Sequence, residues 1–345
     1  MISVVYVHTY DMLGHRTPLL YALRIVILAV QMPLFLFLCG YFGKHTEKRR
    51  STAIAEYLIP FWVFNTLYYI VRAGQTDDLK YGIFRPLNMY WFLMTLLIIR
   101  LLMPELVRIR GILPVSIGLA LLAGLDQTIG RTLSLSRTIC FLPFYLMGYY
   151  CSEKQLGRVR KTPLALAWLS GLTGAGLTLW ATAYFPIRMK KSHPFQLVSS
   201  YQTQGLTAAE GMTFRLLLYI AAPLLAVLLL RLTSEKQSLL TRIGRGSMTV
   251  YLLHAFPLLW LVEYKKELCT AFVTWFPMWK GMGRAMAEWY GGLPQLLLWA
   301  LYAFAVAWVL SCKPIAETYA RLQKAVQKVV YCRKDKESVK TQGIP

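Results

Sequence analysis

Charge is what this 345-residue chain has least of: Asp, Glu, Lys and Arg make up 16% of it, against about 25% in ordinary soluble domains. The shortage falls on the acids, 16 of them beside 38 Lys and Arg, leaving a formal net charge of +22. The six cysteines (Cys39, Cys140, Cys151, Cys269, Cys312, Cys332) stand far apart with no CxxC pair, which argues against a disulfide framework or a thiolate zinc site. No metal site is expected. No basic stretch precedes the first apolar run and no small-residue cleavage site follows it, so no cleavable signal peptide is read. An internal repeat of roughly 20 to 50 residues is also missing, which weighs against an inverted-repeat transporter.

What is present in excess is apolar sequence, 56% of the chain, at a mean hydropathy of +0.45. That composition belongs to an integral membrane protein. The basic residues lie between apolar blocks rather than on one polar face, so they read as topology determinants and not as a nucleic-acid surface.

A membrane helix needs roughly 20 apolar residues. A short first block ends at His8, and nine fuller ones follow at about 19–42, 54–71, 89–103, 112–125, 138–151, 163–185, 213–232, 248–262 and 293–312. The expected fold is all-α, a polytopic membrane protein of about ten transmembrane helices. The first helix reads as truncated, since eight residues rise only about 12 Å against a hydrocarbon core of about 30 Å. Residues 1–312 form the membrane domain and residues 313–345 a basic tail.

Loops alternate in basic content. Segments 44–50, 104–111, 152–162, 231–247 and 313–345 hold 22 Lys and Arg, against 12 in segments 72–88, 125–137, 186–212 and 263–290. By the positive-inside rule the first set is cytoplasmic, as are both termini, in a cell-membrane protein. In the tail, Ile315, Tyr319, Leu322, Val326 and Val329 recur at helical spacing beside Arg321, Lys324 and Lys328. This predicts an interfacial amphipathic helix.

Ionisable groups inside apolar blocks are functional candidates, because leaving one unpaired in hydrocarbon costs several kcal/mol. His8 sits at the external end of the first helix, where imidazole suits taking a proton from a hydroxyl near neutral pH. Asp11, at i+3, is placed to fix its tautomer. His254 shares a helix face with Tyr251, as substrate contact or as a buried link between helices. Arg24 stands one turn into the second helix on the same side as His8. Arg100 and Arg215 read as snorkelling to the interface, and Glu56 as a carboxylate at a helix N-terminus. External Trp275, Trp279, Trp289, Tyr201 and Tyr290 are interfacial anchors or platforms for sugar rings.

Six local patterns in order resemble the acyltransferase-3 family of membrane acyltransferases, within it the fucose 4-O-acetylase-like branch. They are Val-Val-Tyr-Val-His8; Gln31-Met-Pro-Leu-Phe-Leu-Phe-Leu-Cys-Gly40-Tyr-Phe; Arg49-Arg50 with Tyr57-Leu-Ile-Pro60-Phe-Trp; Met89-Tyr-Trp91-Phe-Leu; Phe141-Leu-Pro143-Phe-Tyr-Leu-Met-Gly148-Tyr-Tyr; and Ser247 through His254. The resemblance implies transfer of an acyl group, commonly acetyl, from acyl-CoA as co-substrate to a hydroxyl of a glycan or other envelope molecule. His8 then matches the family's essential histidine, with Asp11, Arg24, Gln31, Tyr251 and His254 in support. Lys44, Arg49, Arg50, Arg242 and Arg245 would attract the phosphates of the donor.

The sequence departs from the family twice. The basic residue that relatives carry about three turns before the histidine has no counterpart here, and Gln31 stands where many relatives have a histidine before Met-Pro. An amide hydrogen-bonds but carries no proton at neutral pH. The rival reading is a membrane transporter, or a non-catalytic sensor or binding module on the same helical scaffold.

Overall fold

The computed structural model describes residues 1–13, 18–73, 81–130, 132–185, 194–234, 236–264 and 292–330. Among them the regular structure is entirely helical. Five stretches are long and apolar enough to cross a bilayer, Pro18–Tyr41, Thr46–Ala73, Asn88–Leu106, Leu164–Tyr184 and Ala208–Leu232. A sixth is added if Trp299–Leu310 and Lys313–Val330, bent by 54°, form one span.

In chain order the helices are α1 (Ile2–Leu13), α2 (Pro18–Tyr41), α3 (Thr46–Ala53), α4 (Ile59–Ala73), α5 (Trp91–Leu106), α6 (Ile112–Leu122), α7 (Leu135–Tyr150), α8 (Glu153–Arg160) and α9 (Leu164–Tyr184). They continue with α10 (Tyr201–Gln204), α11 (Ala208–Leu232), α12 (Leu239–Arg245), α13 (Ser247–Leu253), α14 (Ala255–Glu263), α15 (Gly292–Leu310) and α16 (Lys313–Val330). Large apolar side chains face outward from α9, including Leu166, Trp168, Leu169, Leu172 and Trp180. Contiguous apolar surface of this kind suits lipid rather than water.

The third apolar block begins earlier than its hydropathy suggests, because the basic stretch Thr46–Ala53 is helical too. It is joined to α4 by a π turn over Ile54–Leu58, with the Ile59 N–H donating to the Ile54 carbonyl. Pro60 explains the turn: its ring crowds the carbonyl four residues back and it supplies no N–H, and one extra residue in the turn relieves both defects. Glu56 lies in this turn and accepts a hydrogen bond from Arg100 Nη1 at 3.2 Å. Arg100 also lies over the Tyr57 ring, 4.9 Å from its centroid.

Arg100 and Arg215 therefore do not snorkel. Both are buried, and Arg215 donates to the Ala120 carbonyl with its guanidinium 4.7 Å above the Tyr201 ring. Each finds a partner on another element, which offsets part of the cost of a buried charge.

Glycine sets the spacing of the central helices. At Gly148 of α7 a Cβ would collide with the Phe37 carbonyl of α2, and at Gly40 of α2 one would collide with the Tyr145 carbonyl of α7. The two backbones touch reciprocally, as small residues allow in membrane interfaces. Gly171 and Gly174 play the same part between α9 and α11.

The amphipathic tail helix is present as α16. Its Tyr319 packs on the core, α16 touches the π turn, and burial pushes the Tyr319 hydroxyl up to about 12. Replacing it by Asp puts a charge into that contact, and an amphipathic helix freed from its support is marginally stable. Tyr319→Asp is expected to speed amide hydrogen exchange across Lys313–Val330 by more than about tenfold, read by mass spectrometry of the protein in detergent. Unchanged exchange would mean that α16 holds without this anchor.

Candidate active site

α1 and α2 run back along each other, and Asp11 near the end of one meets Arg24 near the start of the other, Nε to Oδ1 2.5 Å. Arg24 is buried and lies 5.6 Å from the Tyr10 ring centroid. The partner the structure gives Asp11 is thus this guanidinium, where the sequence placed His8. The pair locks the two helices together beside the histidine.

His8 shares its surroundings with His254, which comes from the break between α13 and α14. The ring centroids are 5.4 Å apart and tilted by 42°. His254 is fully buried. Its Nδ1 lies 2.8 Å from the Tyr251 carbonyl and 3.0 Å from that of Val250. Carbonyls only accept, so Nδ1 carries the proton and Nε2 keeps its lone pair. That Nε2 is buried without a partner among the described residues, an acceptor beside His8.

Two cavities meet here. A polar one of about 250 Å³ is lined by His8, Asp11, Gln31, Asn88, Arg137 and Gln196 over a floor that includes Trp91 and Phe141. A larger one of about 530 Å³ is mainly apolar, walled by Phe35, Leu38, Cys39, Phe92, Leu96 and Met248, with Arg49 and Arg100 among its lining. Along α1 the order runs from Met1 in the apolar cavity to Asp11 in the polar one, and α2 runs the reverse way from Leu28 to Phe42. The cavities are therefore stacked along the helix axes. Val4, Met32 and Tyr251 line both.

Residues 1–312 match the family profile described as an acyltransferase domain. The chain belongs to the acyltransferase-3 family. No curated protein and no solved structure matches it. As an acyltransferase-3 protein it is a membrane acyltransferase.

In this acyltransferase the supporting residues expected from sequence gather at one place. Tyr251 is buried, donates its hydroxyl proton to the Met89 carbonyl and meets the Phe92 ring edge-on at 5.5 Å. Gln31 is buried at the polar cavity, and its Oε1 has no partner among the described residues.

The basic candidates separate. Arg49 lines the apolar cavity, whereas Arg242 and Arg245 line a neighbouring space of about 670 Å³ with Lys313. α12 lines both, with Gly244 on the first and Thr241, Arg242 and Arg245 on the second. Lys44 donates to the Cys151 carbonyl at 2.6 Å, and Arg50 lies 3.8 Å from Glu105. Neither lines a cavity named here.

Sequence reasoning missed Arg137, Asn88 and Gln196. Arg137 stacks on Trp91, 4.5 Å from its centroid, and donates through Nε to the Gln196 carbonyl at 3.0 Å. The available signal was an arginine just ahead of the 138–151 block, which reads equally as a boundary charge. Tyr201 is not a sugar platform: it is buried and donates to the Leu121 carbonyl at 2.7 Å. Trp275, Trp279, Trp289 and Tyr290 lie outside the described residues, as does the tail after α16. No group of three or more His, Cys, Asp or Glu side chains suited to a metal occurs among the described residues.

Proposed function

We propose that this chain is an O-acyltransferase of the cell membrane, of the fucose 4-O-acetylase-like branch, moving an acetyl group from its coenzyme A thioester to a hydroxyl of a cell-envelope saccharide. The observation that carries this reading is the stacked pair of cavities, one polar with His8, one mainly apolar with Arg49, with three side chains lining both. In this reading the apolar cavity takes the thioester arm from the cytoplasmic side. Arg49 attracts donor phosphates, and Arg242, Arg245 and Lys313 do so from the adjoining space. The polar cavity takes the acceptor from outside. Its polar lining of His8, Asp11, Gln31, Asn88 and Arg137 suits a hydroxyl-bearing acceptor.

The chemistry balances without a metal. His8 takes the proton of the acceptor hydroxyl, the oxygen attacks the thioester carbonyl carbon, and the carbon–sulfur bond breaks. The departing thiolate then takes up that proton, leaving an ester, a free thiol and His8 as it began. His254, held at Nδ1 by the Val250 and Tyr251 carbonyls, packs its ring beside His8, and Tyr251 lines both cavities. With the shorter apolar helices α1, α6, α7, α13–α14 and α15 added to the five long stretches, the chain makes ten passes, with both termini cytoplasmic.

The test uses the full chain in nanodiscs with acetyl-CoA radiolabelled in the acetyl group and a fraction of host envelope glycan. Label is expected on the glycan in step with thiol release. An intact thioester would overturn the proposal and favour a transporter or binding module.

A further inference from the structure

When the thioester carbonyl stands at the hydroxyl held by His8, its sulfur and the arm behind it extend back into the apolar cavity. The acyl group's own chain must then lie against the side chains shared by both cavities, or beside the sugar in the polar cavity. The second location is poor, because that cavity is lined by Gln31, Asn88 and Arg137, and alkyl carbons would strip solvent from them. The shared side chains, as a septum, therefore decide how long that chain is allowed to be.

Its three members differ in how far they yield. Tyr251 is held at its hydroxyl by the Met89 carbonyl and at its ring by Phe92. Val4 is buried and β-branched on a helix, which leaves it one strongly preferred rotamer. Met32 is only partly buried, unbranched, and the most adaptable of the three. Building on the acyl-transfer reading above, we infer that Val4, Met32 and Tyr251 form a size filter that restricts the donor to acetyl, and that Met32 sets its limit.

The experiment compares acetyl-CoA, propionyl-CoA and butyryl-CoA with the purified full chain in nanodiscs, methyl α-glucopyranoside as acceptor probe, and thiol release as readout. The wild-type chain is expected to favour acetyl over butyryl by at least about tenfold, the usual discrimination available to an apolar pocket. Met32→Ala removes Cγ, Sδ and Cε from the septum and is expected to raise the butyryl-to-acetyl ratio by about tenfold. Val4→Ala moves the ratio the same way from the opposite helix, and decides the matter if the Met32 variant does not fold. Equal use of butyryl by the wild type, or a ratio unmoved in both alanine variants while acetyl is still transferred, overturns the filter alone. Thiol release from none of the thioesters overturns the acyl-transfer reading and the filter with it.

Discussion

His8→Ala is expected to lower acyl transfer by about 100- to 10,000-fold, the span lost when a positioned general base is removed, while the protein stays inserted and abundant. The reason for abundance is local. His8 is only partly buried, and the Arg24–Asp11 pair continues to hold α1 against α2. The KM for the acyl-CoA should change little, since the apolar cavity is walled by other residues. The loss therefore falls on kcat. His8→Gln, which restores a hydrogen-bonding group but no base, should be as inactive. His254→Phe fills the same space but loses the Nδ1 bonds to the Val250 and Tyr251 carbonyls that fix the ring beside His8, and should cost about ten- to a hundred-fold, the worth of one buried hydrogen-bond partner. Steady-state rates from labelled acetyl-CoA check all three, and a wild-type rate in His8→Ala would end the catalytic assignment.

Gly148→Val is expected to leave little folded protein. Its Cβ alone would overlap the Phe37 carbonyl, and neither backbone is able to turn away as a side chain would, so α2 and α7 must separate. Ordinary overpacking costs about 1–3 kcal/mol, and Gly148→Ala should fall in or above that range. The branched side chain adds more and moves the two helices that carry Gln31, Met32, Arg137 and Phe141, so activity should go with stability. Gly40→Ala should behave alike, because it meets the Tyr145 carbonyl. Gly176→Ala is the control: nothing lies within 4 Å of its Cβ position, and alanine favours the helix by about 1 kcal/mol. Melting temperatures in detergent separate these cases. A Gly148→Val protein as stable as the wild type would mean that the α2–α7 contact is looser than described here.

The long helices were legible because hydropathy is a local sum. The blocks at 19–42, 163–185 and 213–232 became Pro18–Tyr41, Leu164–Tyr184 and Ala208–Leu232, the last starting early because Thr207 and Glu210 form a capping box. Less legible were the π turn at Ile54–Leu58 and the break at His254, each within an unbroken apolar run. Arg100 and Arg215 were misjudged for a related reason. A membrane arginine near a helix end has two low-energy fates, reaching water or meeting a partner, and hydropathy does not distinguish them.

The candidate site was half legible. His8, Asp11, Arg24, Gln31, Tyr251 and His254 were named from the chain and lie together, though Asp11 serves Arg24. Arg137, Asn88 and Gln196 were not, since the first two are unremarkable polar residues at the edge of an apolar block and the third lies in the connection between two such blocks, until the fold places them in one cavity with His8. Of the basic residues expected near the donor, only Arg49 lines the apolar cavity.

By itself the sequence determined that the chain is helical and lives in a membrane, because both follow from the free energy of transferring neighbouring residues into hydrocarbon. It also placed the chain in its family through short apolar patterns in order. Only the tertiary structure decided that two histidines far apart in the chain pack ring to ring, and that three side chains line two cavities at once. Those facts depend on which helices touch, and that is set by glycine contacts and buried charge pairs between residues far apart in the chain.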